Sequence, residues 1–408
     1  MWFESYLKNR QQYVNIRQHK SDMYSLEWGI PQGGTLAPIL FILFMNDIVH
    51  SSKIFDFSMF ADDTCLILGI ERSMYDETMK TELDNVVDWF NSNELLLNIN
   101  KTDYLLFGPH HNKVYIKGEY DLSELHEATP EFMFVVEGLE PGDPDHIEIN
   151  KKGEYVLQEL TKVCPEYMFK EWVTMPDGSE VFEPDDVKYL GVYFDSKLSF
   201  KKQINIVNCK INRMVGILWK AEHLTHETKK TVYYSLVESH LNYGILMWGS
   251  TIARNISGTF ELDHIPDNLQ QLTYTQNKVI RAIFRKPKYD KSSKLYTSMS
   301  PLYKALKVLK LCDLYYFNLA TMAHNFYHGN NLPDKIAEKY KKKVDITDVR
   351  TRSNEYELYY KTPRLVSTFK EPSMASSAFW NTLPNDLRKL TKFKNFKVKL
   401  KEYLIDKY

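Results

Sequence analysis

The chain has 408 residues, enough for two or three domains, and a hydrophobic content of 43% with 27 Tyr and 22 Phe supplies a sizeable core. Its 52 basic and 53 acidic side chains nearly cancel to a formal net charge of −1, so the average composition excludes a simple polycation or polyanion. No apolar run reaches the roughly 18 residues of a membrane-spanning helix, and four scattered cysteines without metal-ligand spacing argue against a zinc knuckle or a disulfide framework.

In chain order, the start Met1-Trp2-Phe3-Glu4 does not read as a signal peptide, since it has neither a basic beginning nor a cleavage site. The segment Gly29-Ile30-Pro31-Gln32-Gly33-Gly34-Thr35-Leu36-Ala37-Pro38 is punctuated by glycine and proline and predicts a turn. The apolar run Ile39 to Ile48 that follows has helix length. Gly33-Gly34 would let a backbone approach a ligand closely at a helix start, where N–H groups face outward. An ordinary loop before a core helix is the alternative reading.

Phe57-Ser58-Met59-Phe60 and Cys65-Leu66-Ile67-Leu68 are short apolar runs without helical period, and they predict two buried strands. Asp62 and Asp63 then fall at the tip of a β-hairpin. Neighbouring carboxylates repel, so a fold gains nothing from the pair; a divalent cation reverses that sign, because hard cations seek carboxylate oxygens and keep positions open for phosphates. An exposed Asp-rich turn is the bland alternative. Further on, Leu95 to Thr102 leads into the strand-like Tyr104-Leu105-Leu106-Phe107-Gly108, and His110-His111 reads as a polar loop. Lys101 taken alone would be a solvated surface charge.

Residues 118–186 hold 19 Asp and Glu against 4 Lys, a net of −15; since the whole chain is −1, the other 339 residues carry about +14. A basic body fits a polyanionic partner, because phosphate neutralisation supplies much of nucleic-acid affinity. The acidic segment contains Phe132-Met133-Phe134-Val135-Val136 and Tyr167-Met168-Phe169, with turn signals at Pro141-Gly142-Asp143-Pro144 and Pro176-Asp177-Gly178. It is expected to fold as a small β-rich module rather than a disordered tail. Its alternatives are a lineage-specific insert, the trace of a gene-model or recombination error, and an autoinhibitory nucleic-acid mimic.

Beyond it, helical spacing of Ile204, Val207, Ile211, Met214, Val215 and Leu218 predicts a helix over 200–219. Val232, Tyr233, Leu236, Val237, Leu241 and Tyr243 predict a second over 228–248. A third carries Leu272, Val279, Ile280, Ile283 and Phe284, with Lys278, Arg281, Arg285, Lys286 and Lys288 nearby. Those cations are either a solvated face or a surface that tracks a phosphate backbone. Cys65, Cys164, Cys209 and Cys312 are read as reduced, intracellular thiols.

These blocks, in this order, resemble the reverse transcriptase of non-LTR (LINE-type, jockey-like) retrotransposons. Gly29 to Pro38 is similar to the family's Gly-x-Pro-Gln-Gly-Ser block, Phe60 to Asp63 to its Phe/Tyr-Ala-Asp-Asp box, and Asn98, Lys101 and Thr102 to its Asn-x-x-Lys-Thr block. Val187-Lys188-Tyr189-Leu190-Gly191-Val192-Tyr193-Phe194-Asp195 is similar to its Lys-Phe/Tyr-Leu-Gly strand. Leu241 to Gly249, Pro301 to Leu309, and Ala378-Phe379-Trp380-Asn381-Thr382-Leu383-Pro384 followed by Phe393, Phe396 and Leu400 also resemble the stretch after the palm in jockey-like elements.

The resemblance implies an RNA-directed DNA polymerase working by two-metal nucleotidyl transfer, with Mg²⁺ or Mn²⁺ on Asp62 and Asp63. It implies Lys101 at the leaving pyrophosphate, and Pro31, Gln32, Gly33, Gly34, Phe60 and Ala61 around template and nucleotide. Tyr189, Leu190 and Gly191 become primer-grip residues. RNA template, DNA primer and dNTPs become the partners, with no membrane, in the nucleus and/or cytoplasm.

Two departures accompany it. The family's earlier Lys-Ala-Phe-Asp block, with its first catalytic Asp, has no counterpart here, so a 5′-truncated chain of poor activity is expected, and a non-catalytic nucleic-acid-binding or interaction protein is the alternative. A polymerase of a mobile intron is disfavoured by the Phe-Trp-Asn-x-Leu-Pro pattern. Gly34 stands where the family usually has Ser. The expected fold is α+β: a partial right-hand polymerase palm of antiparallel sheet and helices at 1–108, an acidic insert at 109–186, a primer-grip strand at 187–200, a helical thumb-like region at 201–330 and a C-terminal region at 331–408.

Overall fold

A computed structural model of the chain describes residues 2–26, 29–31, 33–69, 75–98, 101–105, 107, 113–117, 133–137, 172–174, 180–182, 184–253, 265–290, 295–329, 332–346, 356–360 and 371–408. The chain divides into two units, residues 1–190 and 191–408.

The first unit opens with helix α1 (Trp2–Leu7). Strand β1 (Arg10–Gln12) pairs antiparallel with β4 (Tyr24–Leu26), and β2 (Asn15–Ile16) with β3 (His19–Lys20), making one long ribbon that turns near Arg17. Ser21 joins the two ladders: its N–H donates to the Val14 carbonyl at 2.9 Å, and its hydroxyl accepts from the Val14 N–H at 2.8 Å. Helix α2 (Ala37–Met45) continues into a 3₁₀ turn at Asn46–His50. Strands β5 (Asp56–Phe60) and β6 (Asp63–Ile67) form a hairpin, and α3 (Tyr75–Ser92) follows.

Ala37, Met45, Ile48 and Val86 are the buried apolar side chains described in this unit before residue 191. Helix α2 is apolar on every side, yet a nine-residue helix buries only the stripe that faces a neighbour. Ala37 and Met45 lie on that stripe, whereas Ile39, Ile42, Leu43 and Phe44 are exposed. The hairpin strands are half-buried rather than buried as their composition predicts, with Phe60 and Ile67 exposed. Among the described residues every ladder is two-stranded, and no larger palm sheet is described. Residues 102–105 adopt no strand, so the run from Tyr104 does not extend the hairpin into a sheet; Leu106 and Gly108 lie outside the described residues.

Within residues 109–186 the described residues are four short strands and residues 184–186. β7 (Lys113–Lys117) pairs in parallel with β8 (Met133–Glu137), and β9 (Trp172–Thr174) pairs antiparallel with β10 (Glu180–Phe182). Tyr167-Met168-Phe169 and both turn signals lie outside the described residues, as does Cys164. β11 (Val187–Tyr189) is the last strand of the first unit.

The second unit begins with β12 (Val192–Phe194) and is otherwise mostly helical. Its helices are α4 (Lys201–Lys220), α5 (His226–Tyr233), α6 (Ser239–Asn242), α7 (Ile245–Trp248), α8 (Asp267–Phe284), α9 (Ser300–Leu306), α10 (Leu311–Tyr327), α11 (Asp334–Ala337), α12 (Pro372–Thr382), α13 (Asn385–Arg388) and α14 (Phe393–Asp406). α4 packs along α8, and α10 packs on α12 and α14. The predicted stripes bury Ile204, Val207, Ile211 and Leu218 on α4 and Leu272, Val279, Ile280 and Ile283 on α8. Short ladders β13 (Tyr289–Asp290) with β14 (Leu295–Tyr296), and β15 (Lys341–Lys342) with β16 (Leu358–Tyr359), complete the unit.

The expected single helix over 228–248 is broken. A π turn at Tyr234–Glu238 separates α5 from α6, then Tyr243 is extended and Gly244 is left-handed with φ of 66°. A Cβ at Gly244 would lie 2.9 Å from the Val192 side chain, so only glycine fits. The break lets Trp248, fully buried, donate its indole N–H to the Tyr243 carbonyl at 2.8 Å. It also leaves Tyr243 exposed, against the predicted apolar stripe.

Candidate active site

The hairpin register fixes where the two carboxylates sit. Phe60 pairs with Asp63, Met59 with Thr64 and Ser58 with Cys65, which leaves Ala61-Asp62 as a two-residue turn. Ala61 has φ of 54° in the left-handed region, where a Cβ costs about 1 kcal/mol or more. Such turns normally carry Gly or Asn, so Ala here is locally strained, and strain of this kind concentrates at functional turns. Phe60, Ala61, Asp62 and Asp63 are all exposed, and neither carboxylate hydrogen-bonds or ion-pairs with any described residue. Their oxygens are therefore available to a ligand. This fits a hard divalent cation, for which carboxylate oxygens are the natural donors. Among the described residues no group of three or more His, Cys, Asp and Glu converges as a metal cage.

The hairpin is held from two sides. Before β5, the Ser52 hydroxyl donates to Glu82 Oε2 on α3 at 2.6 Å and the Lys53 N–H donates to the same oxygen at 3.1 Å. Ser52 Oγ in turn accepts from the Ile54 and Phe55 N–H groups, each at 3.2 Å. The Ser52 and Lys53 hydrogen bonds hold the Glu82 carboxyl below its ordinary range. Glu82 is thus an anchor for the loop that feeds β5, not a third ligand.

On the other side, Tyr189 Oη lies 3.1 Å from Ser58 Oγ and 3.3 Å from the Ser58 carbonyl, to which it donates. A predicted primer-grip residue is therefore brought onto β5, the strand that leads into the Asp62–Asp63 turn, across 131 positions of sequence. Burial pushes the Cys65 thiol up, so it stays protonated beside the hairpin.

The remaining predicted residues are placed as follows. Pro31 is half-buried and Gln32 lies outside the described residues. Gly33 has φ of 84°, where any side chain would be strained. A Cβ at Gly34 would lie 3.0 Å from Tyr6 Oη, so the replacement of the family's Ser by Gly accompanies a tyrosine on α1 that fills the space. Lys101 and Thr102 form a local turn: the Lys101 N–H donates to the Asn98 carbonyl at 3.0 Å, and the Thr102 hydroxyl donates to it at 3.0 Å. The Lys101 ammonium is exposed. Leu190 and Gly191 both have positive φ, of 46° and 81°; Leu190 ends the first unit and Gly191 opens the second.

Sequence reasoning missed the Ser52–Glu82 and Ser58–Tyr189 links, because no local pattern signals a bond between residues 30 or 131 apart. It also left Asp195 as a strand residue. Asp195 instead accepts from the N–H groups of Lys197, Ser199 and Phe200 and from the Ser199 hydroxyl, and so organises the entry to α4. Burial pushes this carboxyl up, but the four donors outweigh it and its pKa falls below the usual value. A short side chain following backbone donors two to five positions on was the available signal.

Residues 1–194 match the model of the family described as reverse transcriptase (RNA-dependent DNA polymerase). The chain is 21% identical over 292 residues to a probable RNA-directed DNA polymerase from transposon X-element of Drosophila melanogaster, a stretch covering 69% of this chain and 24% of that protein. The chain thus spans about a quarter of the length of that curated relative. No solved structure matches.

Proposed function

We propose that this chain, whose residues 1–194 carry a reverse transcriptase domain of the non-LTR retrotransposon type, copies RNA into DNA at the β5–β6 hairpin. The observation that carries the reading is the pair of exposed, unengaged carboxylates on a strained two-residue turn. Mg²⁺ or Mn²⁺ held by Asp62 and Asp63 would supply charge stabilisation to a phosphoryl transfer between a primer 3′-hydroxyl and an incoming dNTP. The residues of the chain do the rest. Ser58 and Tyr189 fix the hairpin, Phe60 offers an exposed ring at its tip, and the Gly33–Gly34 turn would admit template and nucleotide backbone. Lys101 stands as the cation for the leaving pyrophosphate. In the second unit, the helical region 201–330 is read as thumb-like.

Two carboxylates alone would hold a metal weakly and make incorporation slow. The same observation favours a second reading, a polynucleotide-binding protein without chemistry. Primer extension on an RNA template separates the two. Slow, metal-dependent extension that is lost in the Asp62→Ala/Asp63→Ala variant supports the polymerase. Unchanged binding of the primer–template without any extension supports the second reading.

A further inference from the structure

The helices α4 and α8 flank an open cleft of about 490 Å³, large enough for one or two nucleotides, that lies wholly within the second unit. Its wall combines Trp219 from α4 with Tyr274, Lys278 and Arg281 from α8, and Lys286 and Lys288 from the segment beyond. Three of these cations gather on one ring: Lys278 Nζ is 4.7 Å from the Tyr274 centroid, Lys288 Nζ 5.1 Å and the Arg281 guanidinium carbon 5.9 Å. The ring attracts each of them, but like charges so close repel one another.

Among the described residues no carboxylate pairs with Lys278, Arg281, Lys286 or Lys288. The contrast with Arg285 is direct, because its guanidinium is paired with Glu222 and also donates to the Trp219 carbonyl at 3.3 Å. Arg281 is the most telling of the four. It is only 8% exposed, and the partner of its Nη1 is the weak acceptor Met299 Sδ at 3.5 Å. A buried guanidinium without a counter-charge is unfavourable unless an anion completes the site. Trp219 is 43% exposed at the rim, a large flat apolar surface presented beside that charge.

We propose that this cleft is a binding site for single-stranded nucleic acid, with phosphates on the four cations and a base stacked on Trp219. Rows of lysine alone would serve a duplex backbone equally well. An exposed indole next to a concavity of nucleotide size suits an unpaired base, since stacking on aromatic side chains is available only to bases not already stacked in a helix. The ligand class rests on the polymerase reading, but the site itself uses none of the hairpin residues.

The test is fluorescence anisotropy with the full chain and a labelled twelve-nucleotide single strand, an abasic oligomer of the same length, and an RNA–DNA duplex as competitor. Lys286 and Lys288 are exposed, so Lys286→Glu/Lys288→Glu leaves the packing between α4 and α8 intact. This variant is expected to weaken single-strand binding at least tenfold and to reduce the salt slope by about 1.4, the share of two phosphates. Trp219→Ala should weaken binding of the base-bearing strand about tenfold and leave the abasic oligomer unaffected.

Unchanged affinity in the lysine variant overturns the proposal. So does a Trp219→Ala effect of equal size on both oligomers, or a duplex that competes as well as the single strand. The Asp62→Ala/Asp63→Ala variant must bind the strand as the native chain does. No extension by the native chain with cleft binding kept counts against the polymerase reading alone, and extension with a cleft indifferent to these substitutions counts against this site alone.

Discussion

His324 on α10 sits among His328, Trp380, Phe393 and Phe396, stacked on Phe396 at 4.2 Å between ring centroids. Its Nε2–H donates to the Leu390 carbonyl at 2.7 Å, and its Nδ1 is buried without a partner. A second proton would fall on Nδ1, which has no acceptor to receive it. Burial therefore lowers the pKa to about 4; the Leu390 bond opposes the shift and His328 adds to it. The unfolded chain takes up that proton near pH 6.5. The stabilisation is then complete above about pH 6.5 and is lost as pH falls toward 4. Thermal unfolding followed across pH 4 to 8 should show a falling midpoint on the acid side. His324→Leu should unfold earlier at neutral pH but with a shallower acid slope; an unaltered slope would remove His324 as the cause.

At the same scale, the Asp62–Asp63 pair was readable because a hairpin is local and its two apolar runs bracket the turn. Ala61 was named only as a member of a motif; its left-handed backbone, which sets the direction of Asp62, is a property of the folded turn. Asn381 was likewise one letter of a resemblance. In the fold it forms a fork with β16, accepting from the Leu358 N–H at 2.9 Å and donating to the Leu358 carbonyl at 2.8 Å.

Among elements, α4 depends on its entry loop. Leu198 and Phe200 both have positive φ, at 49° and 54°, conformations unfavourable for branched and aromatic side chains. The four hydrogen bonds to Asp195 hold that loop in place. Asp195→Ala should destabilise the second unit by about 2 kcal/mol, the upper end for a lost cap, since it frees two strained residues as well. Urea unfolding monitored by helical circular dichroism checks this; a change below about 0.5 kcal/mol would mean the loop is held by other contacts.

Helices α4 and α8 were legible from period alone, because one neighbour buries one stripe of each. The run over 228–248 misled because its apolar spacing continues through Tyr243 and Gly244, where close approach to Val192 forces the chain to turn. Gln276 shows the other limit. A polar residue on a core helix reads as a solvent face, yet it is fully buried, donating to Tyr233 Oη and the Leu309 carbonyl and accepting from the Leu311 N–H.

For the whole molecule, the near-neutral charge conceals a division: −15 on residues 118–186 and about +14 on the rest. An acidic segment tethered to a basic body is expected to compete with phosphate for the same cations and to lower the rate of encounter with a polyanion. A chain lacking residues 118–186 should therefore bind oligonucleotides more tightly than the full chain at low salt, with the difference shrinking as ionic strength rises. Equal affinities at low salt would show that the acidic segment does not act on the basic surface. No helix among the described residues is long and apolar enough to cross a membrane. The α+β content and the reverse transcriptase match of residues 1–194 were both legible in the motif order. The strand pairing beyond the hairpins was not: a palm sheet was expected, whereas the described ladders are two-stranded, because pairing beyond a hairpin depends on partners far along the chain.

The measurement that bears most directly on the account is incorporation of the first nucleotide opposite an RNA template while Mg²⁺ or Mn²⁺ is titrated, for the native chain and for Asp62→Ala. The account predicts slow incorporation that rises with metal and falls about 10²- to 10³-fold in the variant, the loss expected when a metal ligand is removed. Incorporation that is indifferent to Asp62, or that proceeds without divalent metal, would contradict it.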